Sequence, residues 1–111
     1  MSGESLVVLV TAPEMETAAR IGRTLVEERL AACANLVPGL RSIYRWQDAI
    51  HDDAEALLII KTTAACLERL TARVTELHPY ETPEVLALPV AGGAAAYLAW
   101  LGQQVLPETK P

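Results

Sequence analysis

The sequence has 111 residues, of which 51% are hydrophobic and 21% are charged, and its formal net charge is −5. This length predicts one domain, residues 1–111, with a single core, and the apolar fraction excludes a disordered chain. An acidic chain without a basic stripe is poorly suited to bind nucleic acid or an anionic membrane, so both partners are excluded at this stage.

The sequence also carries signals about location. No apolar run approaches the ~20 residues needed to span a bilayer, and the first five residues lack the basic side chains of a signal peptide. These observations predict a cytoplasmic protein. In that reducing compartment, Cys33 and Cys66 are expected to be free thiols.

The chain begins with a predicted strand and helix. The aliphatic run Leu6–Val10 is typical of a buried strand. Between Ala18 and Val26, apolar residues recur at i, i+3, i+4, i+7 and i+8, which predicts an amphipathic helix that ends near residue 30. We expect Thr11 to cap this helix, with Glu14 three residues further on.

A long hairpin is predicted next. Residues 31–46 are typical of a strand that is interrupted at Pro38-Gly39. Gln47-Asp48 suits a tight turn, because Asp tolerates left-handed dihedrals. The chain then returns along residues 50–62, so the two strands form one long bent hairpin.

The second half predicts a helix, a strand and a further helix. Thr63 is expected to cap a helix whose apolar residues Leu67, Leu70, Val74 and Leu77 share one face. Pro79 ends it, because proline lacks the N–H and crowds the preceding turn. Residues 85–90 predict the fourth strand, and Gly92-Gly93 is expected to open a short third helix.

The order βαββαβ plus a helix predicts an α+β fold. It is the ferredoxin-like arrangement, in which two helices cover one face of a four-stranded antiparallel sheet, here with an extra C-terminal helix and a long β-hairpin. The ordered core is expected to span about residues 6–105.

The predicted strands are apolar on both faces, although two helices cover only one. Residues 6–10 and 57–60 have no polar position, so the second face needs another cover. We therefore expect a closed homo-oligomer whose hairpins pair across subunits, with contacts at Trp46, Ile50, Tyr97 and Trp100. Alternatively, the two tryptophans fill gaps in a core that has no Phe.

Five blocks occur in order along the chain: Glu28–Asn35, Ser42–Trp46, Leu58–Thr62, His78–Glu84 and Tyr97–Trp100. Together they resemble the divalent-cation-tolerance proteins called CutA, and the resemblance covers most of the chain from Leu6 to Trp100. It implies a ferredoxin-like fold, a homotrimer, a cytoplasmic setting and a role in tolerance to copper and other divalent metals. One position departs from the family, because Asp48 stands where a glycine is usual in the hairpin turn.

Three residues are candidate metal ligands: Cys33, His78 and Glu81. A thiol and an imidazole suit copper, and a carboxylate adds an oxygen ligand. The alternatives are a buried Cys33 that acts as a small hydrophobe, a His78 that favours a helix C-terminus, and a solvated Glu81. No single element has a metal-binding spacing, so we expect these residues to converge near a subunit boundary.

A second interpretation uses Lys61, Tyr80 and Glu84. By analogy with PII-type signalling trimers, they are expected to line an intersubunit pocket for a small anion or metabolite. Lys61 is alternatively a structural partner of Glu81 or Glu55.

Two further functional classes are compatible with a chain of this size. A trimeric scaffold for protein partners is one. An enzyme is the other, and the sequence does not predict one, because it has no nucleophile–His–Asp arrangement, phosphate loop or paired catalytic carboxylates. No organic cofactor is expected; copper or another divalent metal is the expected ligand.

Overall fold

The computed structural model describes residues 4–107, so residues 1–3 and 108–111 of the predicted domain lie outside it. Its elements are β1 (Ser5–Ala12), α1 (Met15–Glu27), β2 (Cys33–Trp46), β3 (Ala49–Thr63), α2 (Leu67–Leu77), β4 (Leu86–Pro89) and α3 (Ala95–Gln104), with one 3₁₀ turn, Ala64–Cys66, before α2. The strands form one antiparallel sheet in the order β2-β3-β1-β4. This confirms the α+β, ferredoxin-like prediction.

The core lies between one face of the sheet and helices α1 and α2. Alternate residues of β1 are buried, because successive side chains of a strand point to opposite faces. Val8 and Val10 meet Ile21 from α1 and Leu70 from α2, and all four are fully buried. No helix among residues 4–107 is both long and apolar enough to cross a membrane.

Helix α1 approaches β2 closely at Gly22. A Cβ placed on Gly22 would lie 3.1 Å from the Cβ of Ala34 and 3.5 Å from Cδ2 of Leu58. A larger residue at position 22 would require Ala34 to move by a few tenths of an ångström. The small Gly and Ala residues at this crossing therefore set the spacing between helix and sheet.

The hairpin between β2 and β3 is long and bent. The register shifts between Val37 and Leu40, where the sequence predicts the Pro38-Gly39 interruption. At the tip, Gln47 and Asp48 have φ of 51° and 63°, as in the two-residue turns whose twist matches that of the strands. Asp48 thus holds the left-handed conformation for which glycine is preferred.

Two predicted helix starts are wrong. Thr11 does not cap α1, because it lies within β1 opposite Leu57; the cap is Glu14, whose side chain accepts a hydrogen bond from the backbone N–H of Thr17. Helix α3 begins at Ala95 rather than at Gly92-Gly93.

A third predicted helix start and one predicted helix end also differ from the structure. Thr63 precedes the 3₁₀ turn and forms no side-chain cap bond. Helix α1 ends at Glu27, because Arg29 adopts a left-handed φ of 61° that turns the chain toward β2.

The sheet face opposite α1 and α2 is only partly covered within one chain. Val7 and Leu9 on this face are half-buried, whereas Leu86 and Leu88 of β4 are 55% and 48% exposed. We call this surface the open sheet face. It is the second apolar face that the strand patterns predict.

Candidate functional site

An open cleft with a volume of about 580 Å³ separates the hairpin from the segment that joins α2 to β4. Residues from both sides line it: Thr11, Ser42, Ile43, Tyr44, Trp46, Glu55, Tyr80, Glu81, Thr82 and Glu84. Strand alternation explains one wall, because Ser42, Tyr44 and Trp46 occupy every second position of β2. The volume falls within the ~300–1,000 Å³ typical of small-molecule sites.

A buried carboxylate joins the two walls of this cleft. Glu55 is only 9% exposed, and its Oε2 accepts a 2.7 Å hydrogen bond from the hydroxyl of Tyr80. Burial, followed by the bond to Glu55, raises the pKa of Tyr80 above its usual value. The phenol therefore remains a protonated donor at neutral pH.

A second tyrosine–carboxylate pair lies further along the hairpin. The hydroxyl of Tyr44 donates a 2.5 Å hydrogen bond to Oδ2 of Asp53, and the Tyr44 ring stacks on His51 with 5.2 Å between centroids. The bond to Asp53 is the main reason why the pKa of Tyr44 is raised. These contacts fix the plane of the aromatic ring at the cleft.

His78 positions the segment that carries Tyr80. The imidazole is 7% exposed; its Nε2 lies 2.7 Å from the carbonyl oxygen of Thr11, and its Nδ1 accepts from the backbone N–H of Tyr80 at 3.1 Å. Because Nδ1 accepts, Nε2 must donate, which requires the neutral ring. Both nitrogens are therefore engaged within the chain.

Cys33 and Lys61 lie elsewhere, at the other end of the sheet. They are cross-strand partners, and Nζ of Lys61 donates to Oδ1 of Asn35. Lys61 is four residues along β3 from Leu57, the partner of Thr11, which is about 13 Å at ~3.3 Å per residue. The predicted ion pair of Lys61 with Glu81 or Glu55 is wrong within one chain.

The three predicted metal ligands do not meet within one chain. Cys33 lies at the Lys61 end of the sheet, whereas His78 and Glu81 lie near Thr11 and the cleft. Among residues 4–107, no three His, Cys, Asp or Glu residues are close enough to hold a metal ion. A site shared by these residues would need side chains from more than one chain, and it stays a prediction.

The three residues of the predicted pocket do not lie in one place either. Tyr80 and Glu84 line the cleft, together with Glu81, and Lys61 does not. Asp53 and Glu55 were not predicted as site residues, although the sequence contains a signal for them. These residues are two apart in a strand, and residues two apart share a face.

Comparison with known proteins places this geometry in a family. The model of the CutA1 divalent ion tolerance protein family matches residues 6–104. The chain belongs to the CutA1 family. A divalent-cation tolerance protein CutA from Thermus thermophilus is 56% identical over 95 residues, which cover 86% of this chain and 92% of that protein.

Solved and plant members of the CutA1 family agree with this assignment. A solved structure of the Thermus thermophilus protein superimposes with a TM-score of 0.89 at 52% identity, covering 91% of this chain and 98% of that chain. The chloroplastic CutA of Arabidopsis thaliana is 48% identical over 97 residues, 87% of this chain. The match covers 53% of that plant protein, about half its length.

The side chains predicted at subunit contacts are exposed in the single chain of this CutA1 family member. Trp46 and Ile50 near the hairpin tip are 41% and 62% exposed, and Tyr97 and Trp100 on α3 are 43% and 41% exposed. The rings of Tyr97 and Trp100 pack on each other with 5.5 Å between centroids. Their contact with a neighbouring subunit stays a prediction.

The Tyr80–Glu55 bond predicts how stability depends on alkaline pH. The pKa of Tyr80 is raised above the unfolded value of 10.0, so its contribution is complete below pH 10 and is lost as the pH rises through the folded pKa. Tyr80→Phe should lower the free energy of unfolding at pH 8 by about 1–3 kcal/mol, because Glu55 loses its partner. Above pH 10, the difference in the free energy of unfolding between Tyr80→Phe and the wild type should decrease.

Denaturant unfolding at pH 8 and at several values above pH 10 checks this expectation. Tyr97→Phe is the matched control, because Tyr97 lies on α3 and does not line the cleft. Equal curves for Tyr80→Phe and the wild type at every pH would contradict the assigned role of the bond.

Proposed function

We propose that the protein is a cytoplasmic homotrimer that contributes to divalent metal tolerance by binding copper or a similar ion. The observation that carries the proposal is the open sheet face. Leu86 and Leu88 leave apolar side chains about half exposed on one chain, and contiguous exposed apolar surface is typical of protein–protein contacts. The proposal of a metal ligand rests on membership of the divalent ion tolerance family.

The metal site is proposed to form between chains. The cross-strand pairing of Cys33 with Lys61 and of Lys61 with Val7 puts the Cys33 side chain on the open sheet face. A thiol there is half-buried in one chain and is a soft ligand suited to Cu(I). His78 and Glu81 would come from a different subunit, and His78 must then release one of its two hydrogen bonds.

Native mass spectrometry during a copper titration tests the proposal. We expect a trimer that takes up a whole number of copper ions, with that uptake lost in Cys33→Ala and in His78→Ala. A zinc titration run in parallel compares the affinities for the two metals. We expect copper to bind more tightly, because the thiolate of Cys33 favours the softer ion.

The control is Cys66→Ala. Cys66 is buried, and its Sγ lies 3.3 Å from the carbonyl oxygen of Leu106, so it should not affect copper uptake. A trimer that takes up copper without a fixed stoichiometry, and equally in all variants, would contradict the metal site. A scaffold for protein partners would then be the remaining role. A monodisperse monomer would contradict the assembly.

The small-molecule interpretation is favoured by a different observation, the cleft. Its lining includes Glu55, Glu81 and Glu84 but no Lys or Arg. These carboxylates would repel the small anion that was expected to bind there. Lys61, the predicted cationic residue of the pocket, lies at the other end of the sheet. A charged ligand of this cleft is expected to be a cation.

A further inference from the structure

The chain that follows α3 lies against the start of α2. Helix α3 ends at Gln104, and Val105 is extended, with φ of −106° and ψ of 161°. We call residues 105–107 the C-terminal strap. We propose that this strap opens as a local unit while the sheet stays folded, and that its opening controls access to the thiol of Cys66. The strap contacts lie within one chain, so the proposal needs neither the trimer nor the metal site.

Hydrogen bonds to three residues hold the strap in place. The backbone N–H of Leu106 donates to the carbonyl oxygen of Arg29 at 2.9 Å, and Sγ of Cys66 donates to the carbonyl oxygen of Leu106 at 3.3 Å. Nη2 of Arg69 donates to the carbonyl oxygen of Pro107 at 2.9 Å. Residues 105–107 belong to no helix or strand, so the strap depends on these separate bonds and on its side-chain packing.

A small apolar cluster lies beneath the strap. Its buried members are Ala32, Cys66, Leu101 and Val105, and it is separate from the main core. Leu106 is partly buried and packs against both. Regions with few buried apolar contacts open at a lower free energy than the core of the same protein. This cluster can therefore open while the main core between the sheet and helices α1 and α2 stays intact.

Cys66 is the reactive group that the strap conceals. Its side chain is 0% exposed, and its Sγ accepts a long contact of 3.7 Å from Nη2 of Arg69. Val105 and Leu106 pack with Cys66 in the same cluster, and Leu106 is also the acceptor of the thiol. Displacement of the strap therefore removes part of the cover of the thiol and its hydrogen-bond acceptor together.

Arg29 fixes the point from which the strap departs. Its Nε donates to the carbonyl oxygen of Gln104 at 3.0 Å, and its Nη2 donates to that of Gln103 at 2.8 Å. The last carbonyl groups of a helix have no partner within the helix, so this guanidinium caps α3. The cap holds residues 103 and 104 in place when the strap detaches, which puts the hinge at the junction between Gln104 and Val105.

Alkylation of the intact native protein with iodoacetamide tests the proposal. Arg41 and Lys61 lie between the two cysteines, so trypsin separates Cys33 from Cys66 and mass spectrometry follows each thiol. We expect Cys66 to react in the native protein at a rate that hardly changes at low urea concentration, because local opening exposes little surface. A reaction that needs urea, or a rate that follows global unfolding, would overturn the proposal.

Two variants should loosen the strap by different means. Val105→Ala removes apolar packing from the small cluster, and Arg69→Gln removes the bond to Pro107. Each should raise the rate of Cys66 alkylation by about fivefold or more, because each lost contact favours the open strap. Val105→Ala leaves the charges around the thiol unchanged, so acceleration in Arg69→Gln alone would overturn the proposal.

Arg73→Gln is the matched control. Arg73 lies one turn after Arg69 on α2 and pairs with Glu28 and Glu76 instead of a strap residue. This variant removes the same charge from the same helix, and its rate of Cys66 alkylation should equal that of the wild type. Equal acceleration in Arg73→Gln and Arg69→Gln would overturn the proposal, because a general loss of stability would then explain access to the thiol.

Discussion

If the protein is the proposed trimer, Leu86→Arg is expected to convert it into single chains of 12.0 kDa. Leu86 is 55% exposed in one chain and lies on the edge strand β4, where it pairs with Leu9 on the open sheet face. If this face is the subunit interface, an arginine there loses its hydration without gaining a partner. The effective penalty is several kcal/mol per ion, and in the proposed trimer it would apply to each subunit.

Light scattering or sedimentation at micromolar concentration measures the result. Met15→Arg is the matched control, because Met15 is also partly exposed, at 37%, but lies at the start of α1 on the other side of the sheet. This variant should keep the mass of the wild type. A trimeric Leu86→Arg, or equal dissociation of both variants, would show that the interface lies elsewhere.

Leu58→Ala should lower the free energy of unfolding by about 3 kcal/mol, within the range for buried leucines. Leu58 is fully buried in β3. Its Cδ2 lies 3.5 Å from where a Cβ on Gly22 would be, so its side chain fills space that α1 cannot fill. The cavity should therefore stay open instead of closing by a small rearrangement.

Denaturant unfolding measures this loss, at one fixed chain concentration because the proposed assembly would contribute to stability. Val26→Ala is the control: Val26 lies on α1 and is 40% exposed, so the loss should be below about 1 kcal/mol. The assignment of Leu58 to the core would fail if the two variants lost equal stability.

The sequence predicts the helices well, because the residues that each helix buries recur with the helical period of about 3.6 residues. In α2, Leu70 and Val74 are fully buried, and the predicted face is the one that packs on the sheet. The cap of α1 was not predictable in the same way. Thr11 and Glu14 both suit a cap, and the choice depends on β1 continuing to Ala12, which strand pairing decides.

The candidate site was predictable from one side only. The segment His78–Glu84 identifies one wall, because its titratable side chains are close in sequence. The facing wall depends on the register of the hairpin. Pro38-Gly39 predicts where the strand is interrupted, but it does not predict how the pairing resumes. The register after the shift between Val37 and Leu40 places Leu40 opposite Glu55, and this pairing is decided by the whole hairpin.

The hairpin extends well beyond the rest of the sheet. Strand β1 ends opposite Ala56, so residues 40–55 form a ribbon of only two strands. A two-stranded ribbon is marginally stable on its own in water. Its order therefore depends on the surface that it packs against, and the concentration of the chain becomes one of the variables that determine how much of the chain is folded.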